Sequence, residues 1–216
     1  MTKLLKKELS LCLHPAALLM LPLSALTLVP NYPYAVSFFY LTLGLFFICL
    51  DGRENHDVIY TLTLPVAKRD AVTARFLLAA LLELVMLLLA FGFIRLHRVI
   101  LPDPNAAGMD ANLSLIGEGF LFFGIYHLVF FPSYYRDVNK VGLSFIKGSV
   151  FAALFVIADI VLCYTLPFVR DVLDTPDPLN LGAKLVFLAV SVVSYAAATL
   201  LALRISQRRF EAQDIR

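Results

Sequence analysis

Charge is scarce in this chain of 216 residues. Its 18 Lys and Arg and 16 Asp and Glu make up 16% of the total, where soluble domains carry about 25%. With 60% of residues hydrophobic and a mean hydropathy of +0.83, too little polar surface exists to cover a water-soluble globule. A soluble enzyme is excluded, and so is a disordered chain. No run of Lys or Arg exceeds two residues and the net charge is only +2, so the basic stripe of a nucleic-acid binder is missing. Cysteine is sparse as well. Cys12, Cys49 and Cys163 each lie in or beside an apolar run, with no C-x-x-C, and read as small packing residues rather than disulfides or zinc ligands.

Catalytic motifs are equally absent. His14, His56, His97 and His127 are scattered and none belongs to H-E-x-x-H. None of the 10 glycines precedes a Lys, so the chain has no phosphate loop of its own. There is no G-x-S-x-G elbow. Glu54-Asn55-His56-Asp57 has metal-ligand chemistry, but neighbours packed so closely in one loop rarely close around an ion. No bound metal, no directly bound cofactor and no enzymatic activity are expected.

What is present is a set of six apolar runs: 11–29, 34–50, 71–94, 113–131, 149–169 and 181–203. Each is long enough for a membrane helix, at about 20 residues per crossing. The expected fold is an all-α polytopic membrane protein, a single transmembrane domain over residues 1–216. Pro30-Asn31-Tyr32-Pro33 allows only a tight hairpin between the first two spans, and Pro22 is expected to kink the first.

Basic residues set the orientation. Lys3, Lys6, Lys7, Arg53, Lys68, Arg69, Arg75, Arg136, Lys140, Lys147, Arg204, Arg208, Arg209 and Arg216 fall on one side. Only Arg95, Arg98, Arg170 and Lys184 fall on the other. Both termini are therefore expected in the cytoplasm, with 204–216 as a cytoplasmic tail, in a protein of the plasma membrane. Glu8 in the basic start and the lack of a small-x-small site speak against a cleaved signal peptide. Residues 1–14 read as an amphipathic surface helix with Lys3, Lys7, Ser10 and His14 on one face and Leu5, Leu9 and Cys12 on another; a plain extension of the first span is the alternative. The outer loops, with Asp103, Asp110, Asp171, Asp174 and Asp177, offer no chemistry beyond a possible short helix in the second.

The inner loop 51–70 carries the main signal. A polar start from Asp51 leads into Val58-Ile59-Tyr60-Thr61-Leu62-Thr63-Leu64, with Val58, Ile59 and Leu62 on one face and Asp57 and Thr61 on another. Pro65 stops this helix, and Lys68-Arg69-Asp70 marks the mouth of the third span. Such an element either docks into a groove on a cytoplasmic partner or only tethers the loop to the membrane surface.

Glu54–Leu64, followed by Leu64-Pro65-Val66-Ala67-Lys68-Arg69-Asp70-Ala71-Val72, resembles the type-two permeases of ABC transporters, in particular the small six-helix ones. Pro132-Ser133-Tyr134-Tyr135-Arg136, with Lys140 beyond, resembles a second patch of that family. The chain departs from the pattern at Ala67, where Ser is usual, and at Asp137-Val138. The resemblance implies a permease driven by a separate cytoplasmic ATP-binding-cassette ATPase, which supplies the ATP, in an exporter. It implies a second permease copy or a homologue, among membrane lipids. It also implies that the loop helix couples to the ATPase through Glu54, Asp57, Val58, Ile59, Leu62, Leu64, Pro65, Lys68 and Arg69.

Polar groups inside the spans are the remaining candidates. Glu83 falls near the middle of the third span and Asp159 near the middle of the fifth; Glu118 and His127 lie in the fourth, Glu118 close enough to its outer end to reach water. A carboxyl at membrane depth is costly unless neutralised or wetted. Each therefore serves either a translocation path or proton relay, or a hydrogen bond to Ser, Thr or Tyr of a neighbouring helix or a second subunit; the latter is expected for Glu83 and Asp159. A proton-coupled carrier built on Glu83 and Asp159, or a non-transporting scaffold, are the competing functions. The internal repeats common in carriers are missing, and no Glu or His pair supports a membrane protease.

Overall fold

Backbone amides in lipid must bond within their own segment, and the apolar runs do so as helices. The computed structural model describes residues 2–101 and 104–213, and of Leu62 the backbone alone; Asp103, Arg216 and the Leu62 side chain lie outside the described residues. No strand occurs among them. The helices are α1 (Thr2–Cys12, closing in a π-turn), α2 (Pro15–Leu28), α3 (Val36–Glu54), α4 (Asp57–Thr63), α5 (Lys68–Ile100), α6 (Leu113–Tyr134), α7 (Val141–Thr165) and α8 (Leu181–Glu211). A π-turn at Val169–Leu173 lies between the last two.

Five of them, α3 and α5 to α8, are each long and apolar enough to cross a membrane. A sixth crossing exists only if α1 and α2 count as one span, and they meet at 86°. The single first span expected over 11–29, kinked at Pro22, is corrected accordingly. The break falls at Leu13–His14, not at Pro22. Both take extended backbone, the His14 ring accepts from the Ala16 N–H at 3.1 Å, and Pro15 occupies the first helical position, where its missing N–H costs nothing. Pro22 instead accompanies a switch to 3-10 geometry over Leu21–Leu28. That tighter, longer-pitched stretch brings α2 to about 25 Å, close to the thickness of the hydrocarbon core.

α1 forms where a surface helix was expected, but with a different inward face. Leu4, Glu8 and Cys12, spaced by four, are buried, whereas Leu9 is exposed and Leu5 and Lys7 are half-buried. Other boundaries also move. α5 spans 33 residues and α8 continues to Glu211, so 204–211 of the expected tail is helical. α7 starts at Val141 rather than Ser149. Hydropathy marks where lipid ends, and hydrogen-bonded helix runs past that point.

α6 is the most enclosed of the long helices and organises the core. Phe122, Phe123, Phe130 and Phe131 are fully buried on it. Phe38 of α3 packs 5.8 Å from Phe123 and Phe76 of α5 packs 4.3 Å from Phe131, centroid to centroid. α2 approaches α3 so closely that a Cβ on Gly44 would lie 2.7 Å from the Ala17 Cα. α7 and α8 are the least enclosed. Val150, Leu154, Ile157 and Val161 form an exposed apolar row on α7, as do Val186, Val190 and Val193 on α8. The described chain ends meet at one end of the bundle. Lys7 contacts Asp57 at 2.5 Å, and Lys68 donates to the Gln213 carbonyl at 2.7 Å.

Candidate functional site

α3 ends at Glu54, and His56, in left-handed backbone, turns the chain into α4. That turn aims the first residue of α4, Asp57, back at the bundle. Asp57 Oδ1 lies 2.5 Å from Lys7 Nζ and Oδ2 lies 2.7 Å from an Arg75 Nη. Arg75 Nε lies 2.5 Å from Glu8, and Lys7 also donates to Thr61 at 2.8 Å and to Glu8 at 3.0 Å. Two acids and two bases thus balance in a largely buried cluster that ties α1, α4 and α5 together. Burial by itself raises the Asp57 carboxyl, but the Arg75 guanidinium and the Lys7 ammonium outweigh it and hold Asp57 below the ordinary carboxylate range. Glu8, Cys12 and Asp57 have ligand atoms close enough to hold a metal ion. Their carboxylates already face Arg75 and Lys7, so a cation there would meet two positive charges.

The outer surface of α4 is different. Ile59 and Tyr60 are exposed, at 46% and 54%. Val58, grouped with Ile59 by helical spacing, instead packs against the core. Beside α4 opens a groove of about 440 Å³, lined by Arg53, His56, Val58, Ile59, Tyr134 and Arg136 among others. The two stretches singled out in the sequence, 54–64 and 132–136, therefore share one concave surface. Arg53 donates to the Asn139 carbonyl at 3.2 Å across it. Glu54 is exposed and pairs with Arg53, and Pro65 is exposed just beyond the half-buried Leu64. Lys68 and Arg69 are committed to the end of α8, through the Gln213 carbonyl and through Glu211 at 2.5 Å. Arg209 donates to the Pro132 carbonyl at 2.7 Å, holding α8 against the end of α6.

Deep in the bundle, Glu83 is fully enclosed. One carboxyl oxygen lies 2.7 Å from His127 Nε2, and the other accepts from the Tyr195 hydroxyl at 2.7 Å. His127 Nδ1 lies 2.9 Å from the Thr199 hydroxyl. Every polar atom of Glu83 and of the His127 ring has a partner, across α5, α6 and α8. Asp159 and Glu118 require correction. Because α7 ends at Thr165, Asp159 lies less than two turns from that end rather than near the middle of the span. Glu118 does not reach water: it is 7% exposed and its side chain adjoins Asp159.

A family model described as "ABC-2 family transporter protein" matches residues 3–207. The chain belongs to the ABC-2 transporter family. It is therefore an integral membrane permease of an ABC transporter, and the features above are features of that permease. No curated protein and no solved structure gives a significant match to it.

Several of the permease's polar contacts escaped the sequence. Arg75 counted only as one more inner-side basic residue, and Glu8 only as an acid in a basic start. A signal existed for α8, since Ser191, Tyr195 and Thr199 repeat every four residues in an apolar run and so share one helical face.

Proposed function

We propose that this permease is the membrane half of an exporter, moved by a separate ATP-binding-cassette ATPase that docks at α4 and the adjoining groove. A second permease copy or homologue would complete the pathway, in the plasma membrane with both termini inside. The observation that carries the reading is the pairing of an exposed Ile59–Tyr60 step on α4 with a groove built from both family-like stretches. A partner gripping α4 from outside would pull on Asp57, and Asp57 is held to Arg75 of the membrane-crossing α5. Motion at the ATPase would thereby reach the spans without any nucleotide site in this chain. The excess of basic residues at the end that carries both termini supports the orientation.

The test is co-purification of the ATPase with wild type and with Ile59→Asp/Tyr60→Ala, at matched membrane abundance. Truncating a buried interface anchor costs about 2 kcal/mol or more, roughly a thirty-fold loss of affinity, and the added Asp must also be desolvated. Equal recovery would remove α4 as the docking element.

A further inference from the structure

At the end of the bundle opposite the termini, α6 and α7 bring two carboxyls together. Glu118 is 7% exposed and Asp159 5%, and their side chains lie within hydrogen-bonding reach of each other. Counted as carboxylates, each keeps one buried oxygen without any donor: Oε2 of Glu118 and Oδ2 of Asp159. Two adjoining, buried, unpaired charges of one sign cost several kcal/mol or more. Something positive has to sit between them.

Among the described residues the surroundings supply no side chain for that role. The charged and titratable groups facing the pair are Cys163 on α7 and Asp174 after the π-turn, and the Met109 N–H of the loop before α6 reaches Asp159. The base that acts on Asp174, Lys184 of α8, is held by Asp177 at 2.9 Å. Asp174 itself, between burial and the Asp110 carboxyl, is pushed up to about 7, although the Asp110 N–H bonds it at 2.6 Å. A metal ion fits poorly. Among the described residues, the one group of three or more acidic, His or Cys side chains with converging ligand atoms is Glu8, Cys12 and Asp57, at the other end. Two adjoining carboxyls, each with an oxygen that lacks a donor, fit a shared proton.

We infer that Glu118 and Asp159 form a proton-binding site, sharing one proton that is required for the loop over them to stay closed. The loop is 104–112. Gly108, in backbone that side chains rarely adopt, lets the chain lie on Asp159: a Cβ there would be 3.0 Å from Oδ2. The Tyr164 hydroxyl bonds the Ala106 carbonyl beside it. If the loop lifts, water reaches the pair and the proton is free to leave. The closed form binds more protons than the open one, so closure is favoured at low pH and lost as pH rises through the titration of the pair.

Cys163 is a built-in reporter, 4% exposed and with its sulfur 3.6 Å from Asp159. The experiment measures maleimide labelling of Cys163 in the full chain in lipid nanodiscs, with Cys12→Ala and Cys49→Ala, from about pH 5 to about pH 9. The readout is the rate for wild type divided by the rate for E118Q at the same pH, which cancels the intrinsic reactivity of the thiol. The ratio should stay near one at low pH and then rise, by up to about tenfold per pH unit for one proton. D159N should behave as E118Q does and replaces it if E118Q assembles poorly. A ratio independent of pH overturns the proposal. So does failure of both amides to assemble, because an amide copies the neutral carboxyl. Slowing of wild-type labelling at high pH by added calcium, absent in E118Q, would make the pair a metal site and overturn the proton assignment.

Discussion

Arg75 of α5 and Asp57 of α4 meet at 2.7 Å, and through them a helix that crosses the membrane grips a helix that does not. Arg75 also holds Glu8 of α1, so one guanidinium fastens two elements of the end that carries the termini. Removing it leaves Glu8 and Asp57 sharing only Lys7. Breaking a buried pair this way costs about 3–5 kcal/mol. Arg75→Gln is expected to lower thermal stability sharply and to expose α1 to protease, while Arg75→Lys retains part of both. Unchanged proteolysis of α1 in Arg75→Gln would show that the cluster does not hold it.

Acid should loosen the same contact. Asp57 is held below its unfolded value, so its contribution is present above the ordinary carboxylate range and is lost as pH falls through the folded value. Protease cleavage within α1 is expected to rise below about pH 4. In Asp57→Asn the rise should be absent, because the variant is loosened at every pH. The same acid profile in both proteins would assign the loss to other groups.

Glu83 is expected to be a structural hydrogen-bonder. In Glu83→Gln the amide oxygen can still accept from Tyr195 and the amide N–H₂ can donate to a neutral His127. Assembly and transport should both persist, whereas Glu83→Ala strands His127 and Tyr195 and should cost about 1–3 kcal/mol. Normal assembly of Glu83→Gln with transport abolished would place the carboxylate on the transport path.

Gly44 should tolerate no larger residue. Its would-be Cβ meets the Cα of Ala17, which is backbone and moves only with α2 as a whole. Gly44→Val is expected to destabilise by at least the 1–3 kcal/mol typical of overpacking, about as much as a core clash elsewhere. A wild-type melting temperature would mean that α2 is free to shift.

Orientation has a direct check. Ala212 is exposed just past α8, and in a cysteine-free background Ala212→Cys should resist an impermeant maleimide in intact cells and react after permeabilisation. Labelling from outside would invert the proposed topology.

Composition alone made this a membrane protein, because a chain with 60% hydrophobic residues has no arrangement that covers them with polar ones. Five of the six apolar runs became single long helices for the same reason: lipid leaves the backbone no other way to bond. The loop helix was legible too, from its polar start, its apolar middle and Pro65, and it formed at Asp57–Thr63. Tertiary structure decided which face each helix turns inward. Helical spacing grouped Val58 with Ile59 and Leu5 with Cys12, but a side chain's environment depends on where the neighbouring helix lies, and spacing contains no such direction. Arg75 and Lys7 drew Asp57 inward and left Ile59 and Tyr60 outside. Glu118 and Asp159, 41 positions apart in the chain, adjoin only because α6 and α7 pack side by side in opposite directions. Charge pairing acts over a few ångströms of space, and folding alone sets those distances.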